Sequence, residues 1–170
     1  MHHYDYVVVG AGSAGSALAN RLSESGKFTV CLLEAGGSDK KFWVQMPLGY
    51  GKVFHDPSVN WRYMTEPEPN LDNQSIYWPR GKVLGGSSSI NAMVWVRGHK
   101  RDYDEWNSVA PGWGWNNVQK IFNRIENWDG TSNISRGTNG PQPVHDVSSD
   151  VHPLTISYLE AASQIGIKTN

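Results

Sequence analysis

The sequence predicts an α/β fold that opens with a β-α-β unit and continues through extended loops into helices. Three observations carry this reading. Tyr6-Val7-Val8-Val9 is a β-branched apolar run, Gly10 to Gly15 is a glycine-rich turn that opens an amphipathic stretch, and a second apolar run, Phe28 to Leu33, ends at Glu34.

The first run is continuous instead of alternating, which reads as a strand buried on both faces, as in parallel sheets. From Ser13 to Ser25, Ala14, Ala17, Leu18 and Leu22 fall on one helical face, and Gly26 stops the helix. The crossover between the two strands is expected to be right-handed. Residues 39–75 are rich in Pro, Gly, Asn and aromatics and show no helical period, so ordered loops are expected there, with a short strand at Trp61–Thr65 before the Glu66-Pro67-Glu68-Pro69 turn. Eight tryptophans argue against disorder. Further on, Asp102–Trp106 starts a short helix, Val118, Ile121, Phe122 and Ile125 mark a longer one, and Asp129–Pro143 reads as a loop or linker. Pro153, then Leu154 to Ile165, then Gly166 give a last helix with matching start and stop signals.

Composition excludes several classes. The chain has 170 residues, 15 Lys and Arg against 16 Asp and Glu, and a net charge of -1, so it carries no electrostatic footprint for nucleic acid or an anionic surface. The six histidines never take metal-ligand spacings, so no metal is expected. The single cysteine, Cys31, sits in an apolar run and reads as a small buried hydrophobe. The N-terminus lacks a signal-peptide pattern and no apolar stretch is long enough to cross a bilayer, from which a cytoplasmic location is expected.

Gly10-Ala11-Gly12-Ser13-Ala14-Gly15 is a full G-x-G-x-x-G after a strand and at the start of a helix, the Rossmann-like arrangement. Gly10 permits the tight turn, Gly12 lets a pyrophosphate approach the backbone, and Gly15 lets helix and strand pack closely. Free amides at the helix start then face the phosphates. Glu34 follows at the end of the second strand, where a carboxylate accepts ribose hydroxyls and repels a 2′-phosphate, against NADP. A nucleophile elbow around Ser13 would leave Gly10 and Glu34 without purpose. These residues do not separate FAD from NAD.

A second cluster runs from Pro79 through Gly85-Gly86-Ser87-Ser88-Ser89-Ile90-Asn91 to Gly98. It concentrates amides and small hydroxyls suited to a phosphate or a polar ring, or to a serine-capped turn. This cluster, continued by Asn91-Ala92-Met93-Val94-Trp95-Val96-Arg97-Gly98, Asp102-Tyr103-Asp104-Glu105-Trp106 and Gly112-Trp113, resembles the glucose-methanol-choline (GMC) oxidoreductases, most of all their choline dehydrogenase-like branch.

The resemblance implies FAD, held by Gly10, Gly12, Ser13, Ala14, Gly15, Glu34 and Ala35 at the nucleotide end and by Gly85, Ser87, Asn91, Ala92, Met93 and Val94 toward the flavin. Some members tether FAD through a histidine before that asparagine. Ile90 stands there and forms no such bond, so non-covalent FAD is expected. The implied activity is oxidation of a small-molecule alcohol by hydride transfer to the flavin, with a histidine base near the C-terminus of longer chains. Residues 1–170 are accordingly expected to be a truncated, incomplete GMC fold: 1–37 the β-α-β unit, 38–100 loops covering FAD and the signature, 101–170 a helical segment. A catalytically inert nucleotide-binding module and an NAD-dependent reductase fragment stand as alternatives.

Overall fold

The computed structural model describes residues 2–131 and 135–168, so part of the Asp129–Pro143 segment and the last two residues lie outside it. The chain divides into two compact units, one ending at Val94 and the other beginning at Trp95.

In the first unit, β1 (Tyr6–Val9), α1 (Ser13–Ser23) and β2 (Val30–Leu33) form the expected β-α-β unit. The strands are parallel, with Val7 opposite Cys31 and Val8 opposite Leu32. Double-sided burial does not hold among the described residues: Val8 is 7% exposed, but Val7 is 58% and Val9 84% exposed. Among the described residues the sheet has two strands, and α1 packs against both of them. The packing stripe of α1 also differs from expectation. Gly15, Ala19 and Leu22 are the part-buried positions, whereas Ala14, Ala17 and Leu18 are exposed. Gly15 is the reason, because a Cβ there would stand 1.8 Å from the Gly10 carbonyl oxygen and 3.4 Å from the Val8 side chain. The line of closest approach therefore runs through Gly15, and i+4 and i+7 follow it inward.

Residues 39–75 contain short helices that the sequence pattern missed: α2 (Phe42–Gln45) and α3 (Tyr50–Val53), joined by a 3-10 turn at Pro47–Gly49. One helical turn is too short to show a period. The expected strand appears as β3 (Tyr63–Met64), paired antiparallel with β4 (Tyr77–Trp78). Val53, Val59, Val83 and Ile90 form the buried cluster beneath these loops, with Val44 against it.

In the second unit, α4 (Lys100–Val109) is capped reciprocally. His99 Nδ1 accepts from the Arg101 amide at 3.2 Å, and Asp102 accepts from the His99 amide at 3.1 Å. Tyr103 of α4 meets Trp115 and Phe122 of α5 (Trp115–Ile125). After α5, β5 (Glu126–Trp128) pairs in parallel with β6 (Gln142–Val144), and α6 (Pro153–Gln164) follows. Asp129–Pro143 is thus not a free linker, since it leaves one strand and returns as the next.

Glu126 anchors that excursion. Its side chain is 0% exposed, and it accepts from Trp95 Nε1 at 3.0 Å, Arg136 Nη1 at 2.6 Å, the Gly137 amide at 2.9 Å and Arg97 Nη2. Burial alone would raise its pKa, but the Gly137 amide, Arg136 and Arg97 outweigh burial and hold the carboxyl below its ordinary value. Glu126→Gln is expected to cost about 3–5 kcal/mol, because it leaves two guanidinium groups without their carboxylate. The wild-type contribution should be present above the unfolded Glu value of about 4.3 and be lost as pH falls through the lowered folded value. Urea midpoints measured against pH check this, and the variant should respond less to acid in that window.

Candidate nucleotide-binding site

The site starts where β1 ends. The Gly10 amide donates to the Leu33 carbonyl at 2.7 Å and closes the parallel ladder. The chain then turns into α1, whose N-cap Gly12 is extended and carries no side-chain cap. The first-turn amides of α1 therefore meet no capping side chain, and the helix N-terminus presents them with its positive end.

The second glycine cluster lies across this turn. Gly85 forms a parallel bridge with Gly12, Gly37 one with Val83, and the Gly85 amide donates to the Ala11 carbonyl at 2.8 Å. Gly86 has φ +60°, and a Cβ on it would stand 2.8 Å from the Gly12 Cα, so two backbones touch where no side chain fits. Hydroxyls follow in the 3-10 turn Gly86–Ser89: Ser87 Oγ accepts from the Gly81 amide at 3.1 Å, and Ser13 Oγ donates to Ser88 Oγ at 3.0 Å.

Glu34 ties the third side. Its Oε2 accepts from the Ala11 amide at 2.7 Å and its Oε1 from the Gly36 amide at 2.8 Å. The half-buried carboxylate thus braces the turn after β1 against the turn after β2. Each oxygen keeps acceptor capacity beyond one amide.

These parts enclose a cleft of about 600 Å³. Of the residues expected from sequence, Gly10, Gly12, Glu34, Ala35 and Ser87 line it. Ser13 reaches Ser88, Gly15 faces β1, and Gly85 joins Ala11, so these shape the cleft from behind; Ala14 is exposed on the first turn of α1. Asn91 and Met93 line a different cavity of about 170 Å³, together with Trp43, Tyr50 and Ser88. Ala92 and Val94 are exposed. Ile90 is 3% exposed and belongs to the valine cluster.

Trp61, Gly81 and Gly86 also line the cleft and were not among the expected site residues. Gly81 and Gly86 stand inside the glycine-serine cluster, where spacing alone does not say which glycine touches the first turn. Trp61 had no chemical signal, because it reads as part of a strand. Its ring lies 5.9 Å from Tyr63 at an interplanar angle of 6°, with Lys82 Nζ 4.5 Å from its centre.

A glycine turn at a helix start, a carboxylate at the end of the next strand and a second glycine turn crossing the first define an α/β nucleotide-binding class of fold. The chain belongs to the GMC oxidoreductase family, whose N-terminal region matches residues 4–170. It is 48% identical over 166 residues to an oxygen-dependent choline dehydrogenase of Rhizobium etli, covering 97% of this chain and 30% of that protein. Among solved structures it is similar to a pyridoxine 4-oxidase from Mesorbium loti, with TM-score 0.88 and 34% identity over 96% of this chain and 32% of the other. It is also similar to an FAD-dependent oxidoreductase from Chaetomium thermophilum, with TM-score 0.80 and 28% identity over 96% of this chain and 30% of the other. The chain thus spans about a third or less of the length of these proteins. No described helix is long and apolar enough to cross a membrane, and no described cluster of His, Cys, Asp and Glu would hold a metal.

The double role of Glu34 has a measurable consequence. A Gln at 34 offers one oxygen and one NH₂, so one of the two amides, Ala11 or Gly36, then faces a donor. Glu34→Gln is expected to destabilise the protein without added nucleotide by about 1–3 kcal/mol, measured by chemical denaturation.

Proposed function

We propose that residues 1–170 are the FAD-binding portion of an oxidoreductase that acts on the CH–OH group of a small-molecule alcohol. The observation that carries this reading is the cleft bounded by Gly12, Gly86 and Glu34, where backbone approaches backbone without a Cβ and a carboxylate keeps free acceptor capacity. A dinucleotide fits such a surface: diphosphate needs amides and close approach, and an adenosine ribose needs a paired acceptor.

In this reading the α1 amides and the Ser87 hydroxyl hold the diphosphate, with the Ser13–Ser88 pair bracing the two turns behind them. Glu34 accepts the ribose hydroxyls while still bracing Ala11 and Gly36, and its charge turns away a 2′-phosphate. Trp61, which lines the cleft, forms the wall against the adenine. Asn91, Ala92, Met93 and Val94 lead toward the flavin end. When bound, FAD supplies the hydride acceptor for alcohol oxidation. No residue of the chain is assigned the proton of the alcohol. The similarity to a choline dehydrogenase supports the reaction class. It does not select the alcohol, because specificity resides in a site and not in a fold. Ile90 supports a non-covalent cofactor, since it carries no atom that bonds a flavin and its side chain is occupied in the core.

The test is the colour of the full-length protein. It should purify with a flavin spectrum, release all of its FAD on acid precipitation, and take up FAD but not NAD after the flavin is stripped. A colourless protein indifferent to FAD would refute the proposal, and NAD binding in its place would favour a reductase. Flavin retained in the acid pellet would overturn the non-covalent part alone.

A further inference from the structure

Asn60 is polar, only 2% exposed, and stands immediately before Trp61. Its carboxamide joins three stretches of backbone. Oδ1 accepts from the Arg62 amide and from the Arg80 amide, each at 2.9 Å, and Nδ2 donates to the Phe54 carbonyl at 2.9 Å and lies 3.4 Å from Tyr77 Oη. Arg62 has φ +55°, a left-handed conformation that is unfavourable for a residue with a Cβ and persists only when its surroundings impose it. The bond from the Arg62 amide to Asn60 is that imposition. On the other side of Trp61 the chain is laddered: the Trp61 amide donates to the Arg80 carbonyl at 2.8 Å, the Lys82 amide donates to the Val59 carbonyl at 2.7 Å, and Asn60 faces Gly81.

These bonds fix the backbone before and after Trp61, and with it the ring that lines the Glu34 cleft. They also fix Gly81, whose amide donates to Ser87 Oγ on the same wall. Aspartate would oppose one acceptor to the Phe54 carbonyl, and leucine would leave the Arg62 and Arg80 amides without an acceptor and the Phe54 carbonyl with the Tyr77 hydroxyl as its donor.

We propose that Asn60 is a positioning residue that sets selectivity for the adenine half of the cofactor, by holding Arg62 left-handed so that the Trp61 ring forms one wall for the base. The proposal rests on the reading that this cleft takes the adenosine of FAD. The experiment separates the two by comparing FAD with FMN, which carries the flavin and a phosphate but no adenosine, as titrants of the stripped full-length protein.

Trp61→Ala tests the underlying reading. Its affinity for FAD should fall about tenfold or more, with FMN affinity unchanged. Asn60→Ala should lower FAD affinity by a similar factor, spare FMN, and add no further loss in the Trp61→Ala background. Arg62→Gly, which adopts φ +55° without strain, should restore part of the lost FAD affinity to Asn60→Ala. If Asn60→Ala fails to fold, Arg62→Val decides, because a β-branched residue strains the same turn while Asn60 stays in place. An unchanged FAD-to-FMN ratio in Trp61→Ala overturns the adenosine reading. A shifted ratio in Trp61→Ala, with Asn60→Ala or Arg62→Val lowering both affinities equally or neither, overturns the role of Asn60 alone.

Discussion

The site depends on a contact between two stretches of bare backbone. Gly12 and Gly86 meet where a single added Cβ would come within 2.8 Å of a Cα, and the Gly85 amide closes the contact onto the Ala11 carbonyl. Ala11, at 0% exposure, is sealed beneath it. Segments some 75 residues apart in sequence, as the Ser13–Ser88 bond records, are thereby set side by side. Because the contact uses no side chain, its cost falls on sequence freedom: Gly86, at positive φ against the Gly12 Cα, has no room for a Cβ, and neither has Gly15, where the helix comes down on the Gly10 carbonyl. The two glycine clusters are one feature seen twice along the chain.

Two carboxylates show how different surroundings give one chemical group different tasks. Glu126 is fully buried and receives donors from Trp95, Arg97, Arg136 and Gly137, which together use all the acceptor capacity of a carboxylate. It has nothing left for a ligand, and its role is to tie Arg136 and Gly137 to β5. Glu34 is half-buried at the end of β2 and receives one amide on each oxygen. That leaves it able both to brace two turns and to accept a further pair of hydroxyls. A count of donors, more than position in the sequence, distinguishes the structural group from the candidate binding group.

The legible parts of this chain are those whose physics is local. β1, α1 and β2, the two-turn glycine logic, the position of Glu34 and the last helix from Pro153 follow from periodicity, glycine spacing and capping residues within a few turns. What escaped has a non-local cause. The continuous apolar run at β1 reads as doubly buried, yet Val9 is 84% exposed, because the described sheet has two strands. The inward stripe of α1 is chosen by the Gly15 approach, not by the positions of its larger apolar residues. Glu126 gave no signal, since its partners Trp95, Arg97 and Arg136 are scattered in sequence and each reads as an ordinary surface residue. Trp61 joins the cleft through a backbone bond to Arg80, far along the chain.

The floor of the site explains why its walls keep their geometry. Val59 and Val83 are both 0% exposed, and they flank the two segments, Asn60–Trp61 and Arg80–Gly81, that carry the Trp61 wall. Ile90 closes the same cluster at 3% exposure, directly after the serine turn. An imidazole at position 90 would have to place polar nitrogens among valines or turn away and leave a void, and either course disturbs the layer on which the glycine crossing rests. The side chain at 90 therefore serves the core.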